Sequence, residues 1–247
     1  NYFTRRDARI PLEHEIKNAG MEAQIFGGLD KLTKAIFAST WKLKDGTPIK
    51  CERMLIDANW GQSTNVVYEF CRRSEFAAMI LPSHGRYVGA SSKPMQEWER
   101  KPGERAGHNW RTTVARRGLR AMMYDTNSWK SWIASRILTK PGDPGAFGLW
   151  GKDPERHRMI ADHLSSEYRV RTTGRGRTCD EWHLKPGRDN HLWDAIVGSA
   201  VAASFAGMPP SPTTTQQVGA IPIEAKKKDR QSFAALQRAA RDKKRSA

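Results

Sequence analysis

Two short apolar runs, Met54-Leu55-Ile56 and Phe76-Ala77-Ala78-Met79-Ile80-Leu81-Pro82, flank a segment in which Val66, Val67, Phe70 and Cys71 fall on one face of a helix, with Ser63 placed as its N-cap. Strand, helix and strand within about 30 residues make a βαβ unit. Such a unit demands parallel pairing and a right-handed crossover, because a right-twisted strand feeding a right-handed helix packs back onto its sheet in only that hand. The first strand then ends on Asp57, at the carboxyl edge where open α/β sheets bind ligands. Aspartate after a strand also serves as a turn residue or cap, so Asp57 has a structural reading beside the functional one.

A second carboxylate stands far downstream. The stretch Asn190–Phe205 is apolar on every side after Asp194 and reads as a fully buried helix with Asp194 in its first turn. An acid there complements the helix dipole. Trp193 and Ile196 beside it suggest that the carboxylate enters the interior, where an unpaired charge costs several kcal/mol and a bound cation would remove that cost.

Charge narrows the partners. The 247 residues hold 42 Lys+Arg against 26 Asp+Glu, a formal net charge of +16 that favours a polyanion, with nucleic acid first. Residues 207–247 are too polar to build a core: a Pro/Thr linker leads into a Lys/Arg-rich tail, read as a flexible basic appendage that docks on a partner or on DNA. Cys51, Cys71 and Cys179 are widely spaced and form no CxxC pair, so they suggest neither a disulfide framework nor a zinc site and fit a reducing cytosol. No run approaches bilayer length. The first residues carry no initiator methionine, so the chain reads as part of a longer polypeptide.

Elsewhere, periodicity predicts helices over 7–17, 29–40, 128–137 and 153–168, and a hairpin of Tyr168–Thr173 and Thr178–Leu184 around Gly174-Arg175-Gly176. Leu119–Tyr124 reads as a strand ending on Asp125, with Ser128 placed to cap the next helix; Asp125 is either a turn residue or a third candidate for the acidic site. Ser83 to Arg117 reads as a long basic excursion. It supplies His84, Arg86, Lys93, Arg116 and Arg117 as candidate DNA contacts, with Tyr87, Trp98 and Trp110 interleaved as stacking surfaces. Lys130, Arg175 and Arg177 join that set, while a solvated surface loop is the alternative reading of the excursion.

Phosphate-binding loops, dinucleotide fingerprints, nucleophile elbows and HExxH are all absent. Carboxylates amid positive charge remain. Carboxylates bind Mg²⁺ or Mn²⁺ and leave positions open for phosphate oxygens, which is the chemistry of a metal-dependent nuclease. Five segments then carry a resemblance: Leu55-Ile56-Asp57-Ala58-Asn59-Trp60-Gly61-Gln62-Ser63-Thr64, Val67-Tyr68-Glu69-Phe70-Cys71-Arg72, Leu81-Pro82-Ser83-His84-Gly85-Arg86, Arg175-Gly176-Arg177 and Asp189-Asn190-His191-Leu192-Trp193-Asp194. In this order they resemble the nuclease region of large terminase subunits of tailed phages and prophages, the lambda-like group in particular, over residues 1–207.

The resemblance implies an α/β, RNase H-like fold with a mixed sheet flanked by helices, occupying 1–206 and truncated at its first strands. It implies an endonuclease that cuts concatemeric double-stranded DNA during packaging into procapsids. It further implies a two-metal site for Mg²⁺ or Mn²⁺, with Asp57 as the fourth-strand carboxylate and Asp194 as the final-helix one. The first carboxylate would lie upstream of Asn1, as would an ATPase domain that alone would use ATP, so this piece by itself is expected to be inactive. Implied partners are DNA, a small terminase subunit, portal or procapsid, and further copies in the motor, with no membrane, in the cytoplasm of a bacterial host. The rival reading is a non-catalytic basic DNA-binding or assembly module with a vestigial acidic site.

Overall fold

In the computed structural model, residues 16, 18–43, 45–61, 63–114 and 118–208 are described. The expected helix over 7–17 and nearly all of the tail lie outside them. The chain divides after Pro212 into two units, and Thr213–Ala247 falls wholly outside the described residues.

The first helix, α1 (Met21–Ala38), starts earlier than its predicted 29. It buries Ile25, Leu29 and Thr33, one residue per turn. Thr33 is tolerated inside because its hydroxyl donates back to the Leu29 carbonyl at 2.9 Å. A small hairpin of β1 (Trp41–Lys42) and β2 (Pro48–Ile49) turns at Gly46, whose φ of 87° suits glycine. Next comes the βαβ unit: β3 (Met54–Asp57), α2 (Thr64–Arg73) and β4 (Ile80–Arg86), with β3 and β4 parallel and Asp57 beside Ser83.

Residues 83–117 do more than loop out. β4 runs on to Arg86, and β5 (Ala106–Gly107) and β6 (Trp110–Val114) form an antiparallel pair. Arginine hid the alternation. Arg111 is buried, its guanidinium donating to the carbonyls of Glu99 at 2.8 Å and Trp98 at 3.0 Å, so a residue that looked solvent-facing is an internal strut. β7 (Arg120–Asp125) follows, giving a five-stranded mixed sheet in the order β3-β4-β7-β6-β5, parallel across its first three strands and antiparallel across the rest.

α3 (Thr126–Leu138) leaves β7 directly, capped by Asp125 rather than by Ser128, whose backbone N–H donates to Asp125 Oδ1 at 3.2 Å. Asp153 caps a short 3₁₀ turn (Pro154–His157) that leads into α4 (Arg158–Leu164), so the single helix expected over 153–168 is two shorter pieces. β8 (Glu167–Gly174) and β9 (Arg177–Leu184) make the expected hairpin. Arg175 and Gly176 both take positive φ, 50° and 73°, as a two-residue turn matching the strand twist requires.

The last helix, α5 (His191–Phe205), is not buried all round. Trp193, Val197 and Val201 are inside at four-residue spacing while His191, Ala195 and Ser199 are exposed. Burying each of those three apolar side chains is worth about 1.5–3 kcal/mol, enough to fix which face turns inward. α1 and α2 pack on Ile56, Ala58 and Ile80 from one side of the sheet. α3 and α5 pack on Met122 and Tyr124 from the other, where Leu55 and Leu81 join them, so the domain is an α/β/α layering. No helix among the described residues is long and apolar enough to cross a membrane.

Candidate acidic site at the sheet edge

Period-two alternation decides where Asp57 points. Leu55 faces the core shared with α5, so Asp57, two residues on, lies on that same face and emerges at the strand's end, exposed. Its Oδ1 accepts the Asn59 backbone N–H at 3.1 Å. The Asn59 side-chain amide donates to the Gly85 carbonyl at 3.2 Å, turning its Oδ1 toward His84 Nδ1 at 2.9 Å. His84 Nδ1 therefore carries the ring proton and Nε2 accepts from the Tyr68 hydroxyl at 2.7 Å. Burial lowers the His84 pKa, Arg86 lowers it further and Asp57 partly opposes them, so a neutral ring suits this network. The turn that carries Asp57 is thereby tied to β4.

Asp194 approaches from α5. The amino end of that helix is held by His163, which is buried and whose Nδ1 accepts the Leu192 N–H at 3.3 Å. The Asp194 carboxyl stands at a rim: 47% of its side chain is exposed, and Oδ1 is 2.9 Å from Lys130 Nζ. Packed protein behind it raises its pKa. Lys130 opposes that shift, and the charges of Glu167 and Asp57 add to it. Tyr124, paired in the sheet with Gly85, is pushed well above its ordinary pKa by burial and then by Asp194 and Asp57. Asp57 and Asp194 thus share one electrostatic neighbourhood over the end of the sheet. A Cβ on Gly85 would come within 2.7 Å of Thr126 Cγ2 and 3.4 Å of the Tyr124 hydroxyl, so glycine keeps the backbone close there.

Behind Asp194 lies a buried pair. Lys130 Nζ is 2.5 Å from Glu167 Oε1, with the side chains 9% and 2% exposed. The same Glu167 oxygen accepts from Asn190 Nδ2 at 2.6 Å, while Oε2 is buried with no hydrogen-bond partner among the described residues. Removing one member of such a pair typically costs about 3–5 kcal/mol, because the other is left as an uncompensated charge. Among the described residues no group of three or more His, Cys, Asp or Glu is arranged to hold a metal ion. Asp57 and Asp194 are two carboxylates at the rim, with Lys130 committed behind Asp194.

The remaining predicted residues fall elsewhere. Asp125 is buried as the cap of α3, on the opposite strand face from Met122 and Tyr124. Burial raises its pKa to about 6 against the pull of the Ser128 and Asn127 N–H groups and Arg177, and neither Asp57 nor Asp194 acts on it. Among the expected DNA contacts, Arg86, Lys93 and Arg175 are exposed. His84 has both ring nitrogens engaged by protein. Lys130 is interior rather than surface. Arg177 straps the loop after β4 to the hairpin through the carbonyls of Gly89 and, at 2.9 Å, Ser92. Arg116 and Arg117 lie outside the described residues.

Glu167, Asn190 in its side-chain role, Asn59 and Tyr124 were not singled out from the sequence. Glu167 opens an otherwise exposed strand, and its only local signal is an acid where a basic hairpin begins. No curated protein and no solved structure matches the chain. The family model for the terminase large subunit gpA endonuclease domain matches residues 16–214, a span that takes in Asp57, Lys130, Glu167 and Asp194, and the chain belongs to that family.

Proposed function

We propose that this domain is the divalent-metal-dependent endonuclease of a genome-packaging terminase, acting on concatemeric double-stranded DNA in the bacterial cytoplasm. One observation carries the reading: Asp57, at the carboxyl end of β3, and Asp194, in the first turn of α5, are close enough for the charge of one to act on the other, each has Oδ1 taken by the protein, and among the described residues no hydrogen-bond donor is recorded on either Oδ2. Two open carboxylate oxygens fit Mg²⁺ or Mn²⁺, hard ions commonly held by one or two carboxylates together with water and substrate phosphate. Asp57 and Asp194 would hold the ion, which when bound supplies charge neutralisation at the scissile phosphate. The chain's own residues do the rest. The Asn59–His84–Tyr68 relay fixes the turn behind Asp57, Lys130 neutralises the inner side of Asp194, and exposed Arg86, Lys93 and Arg175 offer charge to the duplex backbone. An RNase H-like lineage for the mixed sheet, and a small subunit, portal and further copies as partners, belong to the same proposal.

The test is cleavage of duplex DNA by full-length protein. Asp57→Asn and Asp194→Asn keep shape but lose ligand charge, and each is expected to lower the Mg²⁺- or Mn²⁺-dependent rate by at least about 100-fold, the scale on which removing a key electrostatic group acts, with far-UV circular dichroism unchanged. Wild-type rates in both would discard the site. A second reading, a basic DNA-binding module with a vestigial site, is favoured by the missing third ligand among the described residues. It predicts unchanged DNA binding and no metal-dependent cutting even in the wild type.

A further inference from the structure

We propose that Lys130 is a positioning residue of this site: anchored by Glu167, its ammonium fixes the Asp194 carboxylate so that its second oxygen remains available at the rim, within the electrostatic reach of Asp57. The inference deepens the nuclease reading and rests on it, since it takes Asp194 as an ion ligand.

The network runs through four side chains on three elements. Asn190 Nδ2 donates to Glu167 Oε1 at 2.6 Å, Lys130 Nζ donates to the same oxygen at 2.5 Å, and Lys130 Nζ also reaches Asp194 Oδ1 at 2.9 Å. It closes on itself, because the Asn190 carbonyl accepts the Asp194 backbone N–H at 2.9 Å. The strut thus joins α3, the first residue of β8 and the amino end of α5. A carboxylate that is 47% exposed would otherwise sample several rotamers. Gripping one of its oxygens from the inner side removes that freedom and leaves the other oxygen facing out.

Core stability alone accounts poorly for the arrangement. A buried ion pair is on average no more stabilising than well-packed apolar residues of similar volume. Here it also leaves Glu167 Oε2 buried without a partner among the described residues, which is a cost. An interior lysine whose second contact is a rim carboxylate is better accounted for by what it does to that carboxylate. Outer partners of metal-ligating carboxylates commonly act this way.

The experiment uses full-length protein and two readouts: Mn²⁺ binding by titration calorimetry without DNA, and steady-state cleavage of duplex DNA. The double variant Lys130→Met with Glu167→Gln removes one positive and one negative charge together, so the net charge of the cluster is unchanged, and comparison with the uncharged Asn190→Ala separates orientation from the local field at Asp194. Mn²⁺ affinity is expected to fall about tenfold or more, the range for outer-partner mutations, with kcat lowered and KM for DNA unchanged. Asn190→Ala, which alters no charge, should shift Mn²⁺ affinity in the same direction by less. Wild-type Mn²⁺ affinity and kcat in the double variant, with only its melting temperature changed, would show the pair to be core packing and overturn the proposal. If the double variant does not fold, Asn190→Ala decides, and unchanged Mn²⁺ affinity there overturns it. Asp194→Asn separates the two levels: undiminished Mn²⁺ binding in that variant removes the ligand reading itself, whereas lost binding there with wild-type binding in the double variant removes only the role of Lys130.

Discussion

Aspartates at strand ends play different parts here according to what surrounds them. Asp57 is exposed and holds one turn N–H, whereas Asp125 is buried beneath the start of α3 and is a cap. Burial raises the Asp125 pKa to about 6, above the ordinary carboxylate value near 4. The folded state therefore keeps a proton that the unfolded chain releases between those values. The Asp125 contribution to stability is full below about pH 4, declines as pH rises through 6, and stays lost above it. Asparagine caps a helix about as well and has no charge to bury. Asp125→Asn is expected to match the wild type near pH 4 and to be more stable by up to about 3 kcal/mol at pH 7.5, the cost of burying the charged carboxylate that the raised pKa implies. Chemical denaturation at the two pH values measures this, and a variant less stable than wild type at pH 7.5 contradicts it.

The hairpin shows how two arginines two residues apart divide into different jobs. Arg175 sits in the turn with φ of 50°, exposed, while Arg177 reaches back to the Gly89 and Ser92 carbonyls. Glu181 completes the strap by accepting the Ala90 N–H at 2.8 Å, and a Cβ on Gly89 would come within 2.6 Å of that carboxylate. Loop 87–92 is therefore part of the hairpin's packing, which places exposed Lys93 and Arg86 on a braced surface. Arg177→Ala should cost about 1.5–3 kcal/mol, the worth of hydrogen bonds to a charged group, and speed amide exchange in residues 89–92. Arg175→Ala should leave stability unchanged and reduce the salt slope of DNA binding by about one phosphate's share. Equal effects of the two substitutions on both measurements would refute this division.

Over the whole chain the formal net charge is +16, which favours a polyanionic partner. Binding measured in EDTA should weaken steeply with salt, log K falling by about 0.9 per phosphate contact for each unit of log salt. A flat response would contradict backbone binding. Much of this molecule was legible in the chain alone: a βαβ unit starting at Met54, although its second strand lies at 80–86 where 76–82 was expected, Asp57 at a carboxyl edge, the turn at Gly174-Arg175-Gly176, and the existence, though not the one-sided burial, of the helix carrying Asp194. Each rests on a local rule, either the period of apolar residues or the stereochemistry of one or two dihedrals, and local rules survive any tertiary context that buries the same face. Tertiary structure alone decided which charges turned inward. Arg111 passed for a surface residue until its carbonyl partners at 98 and 99 came round it, and Lys130 passed for a phosphate contact until Glu167, 37 residues on, and Asp194 closed upon it. A charge is buried only when distant partners offset its desolvation; apolar periodicity carries no information about which partners those are, so the residues around Asp194 emerged only with the fold.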